Sequence, residues 1–272
     1  LASSMVSRTY DDKGRATAIG TVNFAGDLGK MAAPLLAGVI AVYFGWRTTL
    51  GVAGVAGIIF MLLATMSRRT VDIGKPAAQP VKTTDAINTP DQTTQMGGFI
   101  TLSGVGILDS ATRGAALAFL PFVMDAKGMG IGQTSAMLVL LFAGGAVGKF
   151  LCGWLADRYG SVSIIWGTKG LTALLLVLSL VAPSVAMAPL MVVLGVGLNG
   201  TSSVLYATVA DFVPARRRAR LYGFYYTTNE CGTVLAPIFY GVLADLFSLN
   251  TAIVAMGIGA AAIMPASLML RK

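Results

Sequence analysis

Along the chain, long apolar runs alternate with short polar breaks. Eight runs are long enough to cross a bilayer as helices, which takes roughly 20 mostly apolar residues: 16–44, 46–66, 96–124, 131–156, 161–183, 185–211, 219–246 and 250–270. Most breaks are short, so successive helices are expected to be antiparallel neighbours. One break is long. Residues 67–95, rich in Thr, Asp, Gln and Pro, read as a polar linker between two bundles. The pattern predicts an all-α membrane protein.

Composition agrees, with 55% hydrophobic and 12% charged residues, where soluble domains carry roughly 25% charged. Basic residues segregate strongly. One set of span ends holds Arg8, Lys13, Arg15, Arg68, Arg69, Lys75, Lys82, Arg158, Arg216, Arg217, Arg218, Arg220, Arg271 and Lys272, against Arg47 and Lys127 on the other. Such an excess marks the cytoplasmic side. The net charge of +8 is therefore topological, and nucleic acid is not an expected partner. There is no His, which excludes His-based metal sites and triads. Cys152 and Cys231 sit in apolar runs and are expected to be buried thiols.

The chain also repeats itself. Residues 15–44, shifted by 203 positions, fall on 218–247 with ten identities in 30 and no gap, including Gly20/Gly223, Gly29/Gly232, Pro34/Pro237 and Gly38/Gly241. The same shift places the start of the span that matches Gly97 about 106 residues before Leu1. An amino-terminal portion of that length is expected, and the opening LASSMVSR, with neither initiator Met nor signal peptide, agrees.

Two halves in parallel repeat, a polar central loop and both ends cytoplasmic resemble the major facilitator superfamily. Gly153, Asp157, Arg158 and Gly160 resemble its loop signature G-x-x-x-D-R/K-x-G, although Ser161, Val162 and Ser163 stand where members often carry further basic residues. The resemblance implies a conformational latch there. Gly20, Gly29, Ala33, Pro34, Ala37 and Gly38 are similar to the family's antiporter motif, with two Gly replaced by Ala. On this reading the fold is two six-helix bundles truncated to about eight helices. Residues 1–66 are the remainder of the amino-terminal bundle, 67–95 the cytoplasmic loop and 96–272 the carboxy-terminal bundle. Gly29, Pro34, Gly38, Gly232, Pro237 and Gly241 are expected at helix contacts.

Candidate chemistry lies at mid-depth. At 1.5 Å per residue, Asp27, Asp109 and Glu230 lie about 20, 18 and 15 Å from the cytoplasmic ends of their helices. Charge at that depth usually faces a protein interior or a watery cavity. Lys30 is one turn from Asp27 and Arg113 one turn from Asp109, so each can pair; the same spacing also suits a static structural pair. Glu230, the repeat partner of Asp27, has no cation within a turn. A carboxylate beside a cation stays ionised, whereas an unpaired one in apolar surroundings takes up a proton more readily. Glu230 is the first candidate proton carrier, ahead of Asp109 and Asp27. Arg113 and Lys30 are candidate substrate cations, and Asn199, Tyr206, Tyr226 and Asn229 candidate polar lining, with Tyr225 beside them. Lys149 and Lys169 are expected to snorkel to the cytoplasmic surface. Gly195, Gly197 and Gly200 spell G-x-G-x-x-G, but no strand precedes them and a dinucleotide site is declined.

The expectation is an inner-membrane secondary transporter working by alternating access, without enzymatic activity or cofactor. A monomer is expected to move a small molecule and protons across the lipid bilayer. Phe119, Leu120, Pro121 and Phe122, with the run from Gly144 to Gly160, resemble the fosmidomycin-resistance type of efflux protein, which implies proton-coupled export of a drug-like compound. The alternatives are proton symport of an organic anion, with Arg113 as its clamp, and a nontransporting sensor of the same fold.

Overall fold

The computed structural model describes residues 15–67, 96–214 and 217–270; within them, the side-chain surroundings of 15, 22, 25, 26, 28, 29, 32, 33, 64, 67, 218 and 219 fall outside the description. Every regular element among these residues is helical: α1 Arg15–Ser67, α2 Met96–Ala126, α3 Ile131–Tyr159, α4 Ser161–Val181, α5 Met187–Phe212, α6 Arg218–Leu246 and α7 Leu249–Leu268, with a short 3₁₀ turn at Ser184–Ala186. α1 is two arms joined at Gly45, whose φ of 80° and ψ of 166° break the helix where the hydrophobic pattern breaks. A positive φ of this kind favours glycine. Counted as two arms, α1 brings the helices to eight, as the pattern predicts. The linker, the residues before 15 and the last two residues lie outside the described set.

Six segments among the described residues are long and apolar enough to cross a membrane, the first running over the kink from Pro34 to Leu63. α6 is not among them. Its first half carries Arg218, Arg220, three tyrosines, Asn229 and Glu230, so its polar content lowers its hydropathy. It nevertheless packs along α2 and α7. Its outer face, at Val234, Leu235, Ile238 and Phe239, is apolar and exposed.

Two apolar clusters close the ends of the bundle. One, at the arginine-rich end, gathers Ile19, Phe99, Leu102, Val209, Tyr222 and Ile263. The other gathers Leu120, Met124, Met187, Met191 and Ile253. Between them lies a buried polar layer that includes Asp109, Lys149, Thr168, Lys169, Asn199 and Thr201. At the far end Lys127 Nζ donates to the carbonyls of Leu180 (3.0 Å) and Ala182 (2.7 Å), satisfying acceptors left open where α4 stops.

Small residues set how closely the helices approach. On α3 and α5, a Cβ at Gly144 would strike the Val192 carbonyl, one at Gly148 the Val196 backbone, and one at Gly195 the Leu141 carbonyl. Gly197 and Gly200 face Thr168 and Gly148. The G-x-G-x-x-G run is thus a packing surface. Gly20 meets the Lys149 carbonyl and Gly38 meets Ser135, bringing α1 onto α3; Gly232 meets the Ile107 carbonyl, bringing α6 onto α2. The remaining expected contact positions behave differently. Gly241 has only the Phe119 ring at 3.8 Å, Pro34 faces a cavity, Pro237 is half-buried and Gly29 lies outside the described surroundings. Cys152 is buried, but Cys231 is exposed, against expectation, on the outer side of α6.

Replacing Gly195 by Val would force α5 away from α3. The expected loss is about 1–3 kcal/mol, the usual range for overpacking, seen as a lower midpoint in thermal unfolding of the detergent-purified protein. Gly167, exposed on α4 with no neighbour within 4 Å, is the control: Gly167→Val should leave the midpoint unchanged. Equal midpoints for the two variants would contradict the packing account.

Candidate substrate cavity and charge network

A cavity of about 540 Å³ opens where α1, α2, α3, α5 and α6 converge. α1 supplies Asn23, Asp27, Lys30 and Pro34, and α2 supplies Arg113 and Leu117. Phe142 and Lys149 come from α3, Asn199, Ser202 and Tyr206 from α5, and Tyr226, Glu230 and Thr233 from α6. The repeat-related carboxylates Asp27 and Glu230 therefore share one cavity.

Two carboxylates organise the charge. Asp27, 4% exposed, binds Lys30 through Oδ1 at 3.1 Å and Lys149 through Oδ2 at 2.6 Å. Asp109, 1% exposed, binds Arg113 Nη1 through Oδ2 at 3.7 Å and Lys169 Nζ through Oδ1. Arg113 Nη2 also donates to Ser110 Oγ at 3.1 Å. Each carboxylate thus bridges a cation one turn along its own helix and a lysine from another helix. The i,i+3 and i,i+4 pairs read from the sequence form, and each gains a second cation.

Lys149 and Lys169 correct the expectation of snorkelling. Both are buried, Lys169 completely, because each has a carboxylate inside the bundle and needs no route to the surface. Helical rise puts Lys149 about 15 Å from Tyr159 and Lys169 about 12 Å from Ser161, the depth of the acidic residues, and this was the available signal. Glu230 is also corrected. It is exposed on the cavity wall rather than enclosed in apolar surroundings, and it has no ion pair among those described. Asp109 sits behind Arg113 and is not on the wall.

The remaining lining divides. Tyr206 and Tyr226 stack with ring centroids 4.6 Å apart, and Tyr225 meets Tyr206 edge-on at 5.8 Å. Asn199 is buried at the wall. Asn229 is buried but turned away, its Oδ1 set with the Tyr225 hydroxyl against Gly106, so it does not line the cavity. Among the described residues four basic side chains face three carboxylates in and behind the cavity, a formal excess of one positive charge. With the tyrosine pair alongside, the arrangement can hold a small anion that has a flat apolar body.

At the arginine-rich end, Asp157 accepts hydrogen bonds from the Ala16 N–H (3.3 Å), the Thr17 N–H (2.9 Å) and the Thr17 hydroxyl (2.6 Å). A carboxylate here satisfies the open donors and the positive end of α1. Gly153 lets the Ala16 carbonyl pass close by. Gly160, at φ 85°, makes the break between α3 and α4. Arg158 lies 5.9 Å from the Trp154 ring centre and 5.8 Å from that of Tyr159, and among the described residues it does not pair with Asp157. The contact between α1 and the α3–α4 turn is thus a carboxylate on a helix end.

Apolar helices gathered round a charged cavity define a multi-pass membrane protein of the transporter kind. The chain belongs to the Major Facilitator Superfamily, whose family description matches residues 1–96 and 102–272. It is similar to the gentisate transporter of Corynebacterium glutamicum, 29% identical over 126 residues, which is 46% of this chain and 28% of that protein. It resembles the benzoate transport protein of Acinetobacter baylyi at 31% over 129 residues, 47% of this chain and 28% of the relative. The cis,cis-muconate transport protein of the same organism aligns at 25% over 269 residues, 93% of this chain and 63% of the relative. The chain thus spans under a third of the first two relatives' length and just under two thirds of the third. All three are named for organic acids, so the expected likeness to the fosmidomycin-resistance type and the expectation of drug efflux find no support in them.

Lys149 depends on Asp27 for its burial. Asp27→Asn would strand it, and breaking a buried pair this way costs about 3–5 kcal/mol. The double variant Asp27→Asn with Lys149→Met should recover most of that loss in thermal unfolding, whereas a double variant no more stable than the single would show that the pair does not hold α1 to α3.

Proposed function

We propose that this transporter takes up a small organic anion, an aromatic or unsaturated carboxylate, together with a proton. The observation that carries the reading is the excess positive charge of the cavity beside the stacked Tyr206 and Tyr226. The names of the three relatives support the substrate class.

In this reading Arg113 holds the carboxylate, since its planar fork matches that group. Lys30, whose side chain is 63% exposed, draws the anion into the cavity. Tyr206 and Tyr226 take the flat body, and Asn199 contributes polar lining. Asp27 and Asp109 are each taken up by two cations, which gives them a structural role rather than that of proton carrier. Glu230 shares the cavity wall with Arg113 and makes no ion pair among the described residues. While ionised it repels the anion; once protonated it admits it. By linkage the bound anion favours the proton equally, and with the bundles rocking only when both or neither are bound, the two move in the same direction.

Residues 1–66 belong to the amino-terminal bundle, 96–272 form the carboxy-terminal bundle, and 67–95 join them. The arginine-rich end faces the cytoplasm of a bacterial cell, in accord with the positive-inside rule. The Asp157 contact with the start of α1 closes that side and opens when the bundles rock.

Uptake of labelled gentisate into proteoliposomes holding the full-length protein, corrected for protein-free vesicles, tests the assignment. Initial uptake should rise as the external pH falls from about 8 to about 6. Arg113→Gln should raise KM by roughly tenfold or more. Glu230→Gln should still exchange gentisate across the membrane but lose the pH response. Stimulation by external alkali, or an unchanged pH response in Glu230→Gln, would overturn the respective part.

A further inference from the structure

Arg113 poses a problem for any anion-binding role, because it shares α2 with Asp109 one turn away. A carboxylate at that position is a built-in competitor for the guanidinium. The contact is loose. Arg113 Nη1 lies 3.7 Å from Asp109 Oδ2, beyond hydrogen-bond range, and its other terminal nitrogen donates one hydrogen bond, to the Ser110 hydroxyl. Lys169, from α4, reaches Asp109 from the opposite side and makes the closer contact, through Oδ1. It is wholly buried, does not line the cavity and makes no other hydrogen bond among the described residues.

We infer that Lys169 is a positioning residue: by neutralising Asp109 from behind, it keeps the charge of Arg113 available to the carboxylate of the substrate. The inference rests on the organic-anion reading of the cavity. Without Lys169, Asp109 would turn fully onto Arg113, where an arginine and a carboxylate form their strongest pair through two parallel hydrogen bonds. The substrate would then have to displace it. Asp27 is held differently: Lys149 at 2.6 Å and Lys30 at 3.1 Å both grip it directly, and all three line the cavity. Only at Asp109 does the lysine from another helix make the closer contact from outside the cavity and leave the own-helix cation loosely held on its wall.

The test is gentisate binding to the purified full-length transporter by titration calorimetry, which reads affinity without requiring transport. Lys169→Met should raise Kd about tenfold, and adding Asp109→Asn should bring it back to within about twofold of wild type, because the competitor leaves with its neutraliser. The other charge-balanced double, Asp109→Asn with Arg113→Gln, should bind at least about thirtyfold more weakly. Should Lys169→Met fail to fold with Asp109 underpaired, the two doubles decide on their own. Equal affinities in them would remove Arg113 as the carboxylate's partner and the inference with it, whereas an unchanged Kd in a folded Lys169→Met would overturn the role of Lys169 alone and leave the transport reading standing. Absence of gentisate binding by wild type would instead remove the organic-anion reading, and the inference with it.

Discussion

Burying charge at mid-membrane depth is the constraint on which this structure turns. An unpaired charge there is held only where protein or water surrounds it, and a buried ion is tolerated when its partner is buried with it. Asp27 and Asp109 each gather two cations. Those contacts tie α1 to α3 and α2 to α4. They also place a surplus of positive charge against an open cavity, so the interactions that hold the helices together also shape what the cavity attracts.

Close helix approach makes the network possible. Gly144, Gly148, Gly195 and Gly200 bring α3 and α5 together, and Gly20 sets α1 against the carbonyl of Lys149 itself. Lys149 is thereby placed where its side chain reaches Asp27 on that same helix. Above and below, apolar clusters seal the ends, and the middle layer keeps the low dielectric in which pairing is strong. The Asp157 contact at the start of α1 uses the same physics at the membrane edge, with a helix end in place of a lysine.

Much of the fold is legible in the hydrophobic pattern. The runs, the break at Gly45 and the polar face of α6 follow from spacing and composition, because a membrane leaves few ways to satisfy the backbone. The pairs Asp27 with Lys30 and Asp109 with Arg113 are also legible, since they depend only on helical periodicity. Their third members are not. Which carboxylate Lys149 or Lys169 meets is decided by helix packing across the bundle, and sequence position alone leaves snorkelling as an equal alternative until depth is counted. Helix rotation similarly decides that Glu230 faces open space while its neighbour Asn229 turns towards Gly106. The antiporter-like motif pointed towards export, yet two of its small residues, Gly20 and Gly38, serve contacts between α1 and α3, a packing role that carries no transport direction.

The direction of proton movement tests the central claim most directly. Proteoliposomes holding the full-length transporter would be suspended in weakly buffered medium with a pH electrode outside, and cis,cis-muconate added there, a dianion that crosses lipid poorly on its own. Symport predicts that the medium turns alkaline as protons enter with the anion, and that protein-free vesicles do not respond. Acidification of the medium would contradict the account and restore export by antiport.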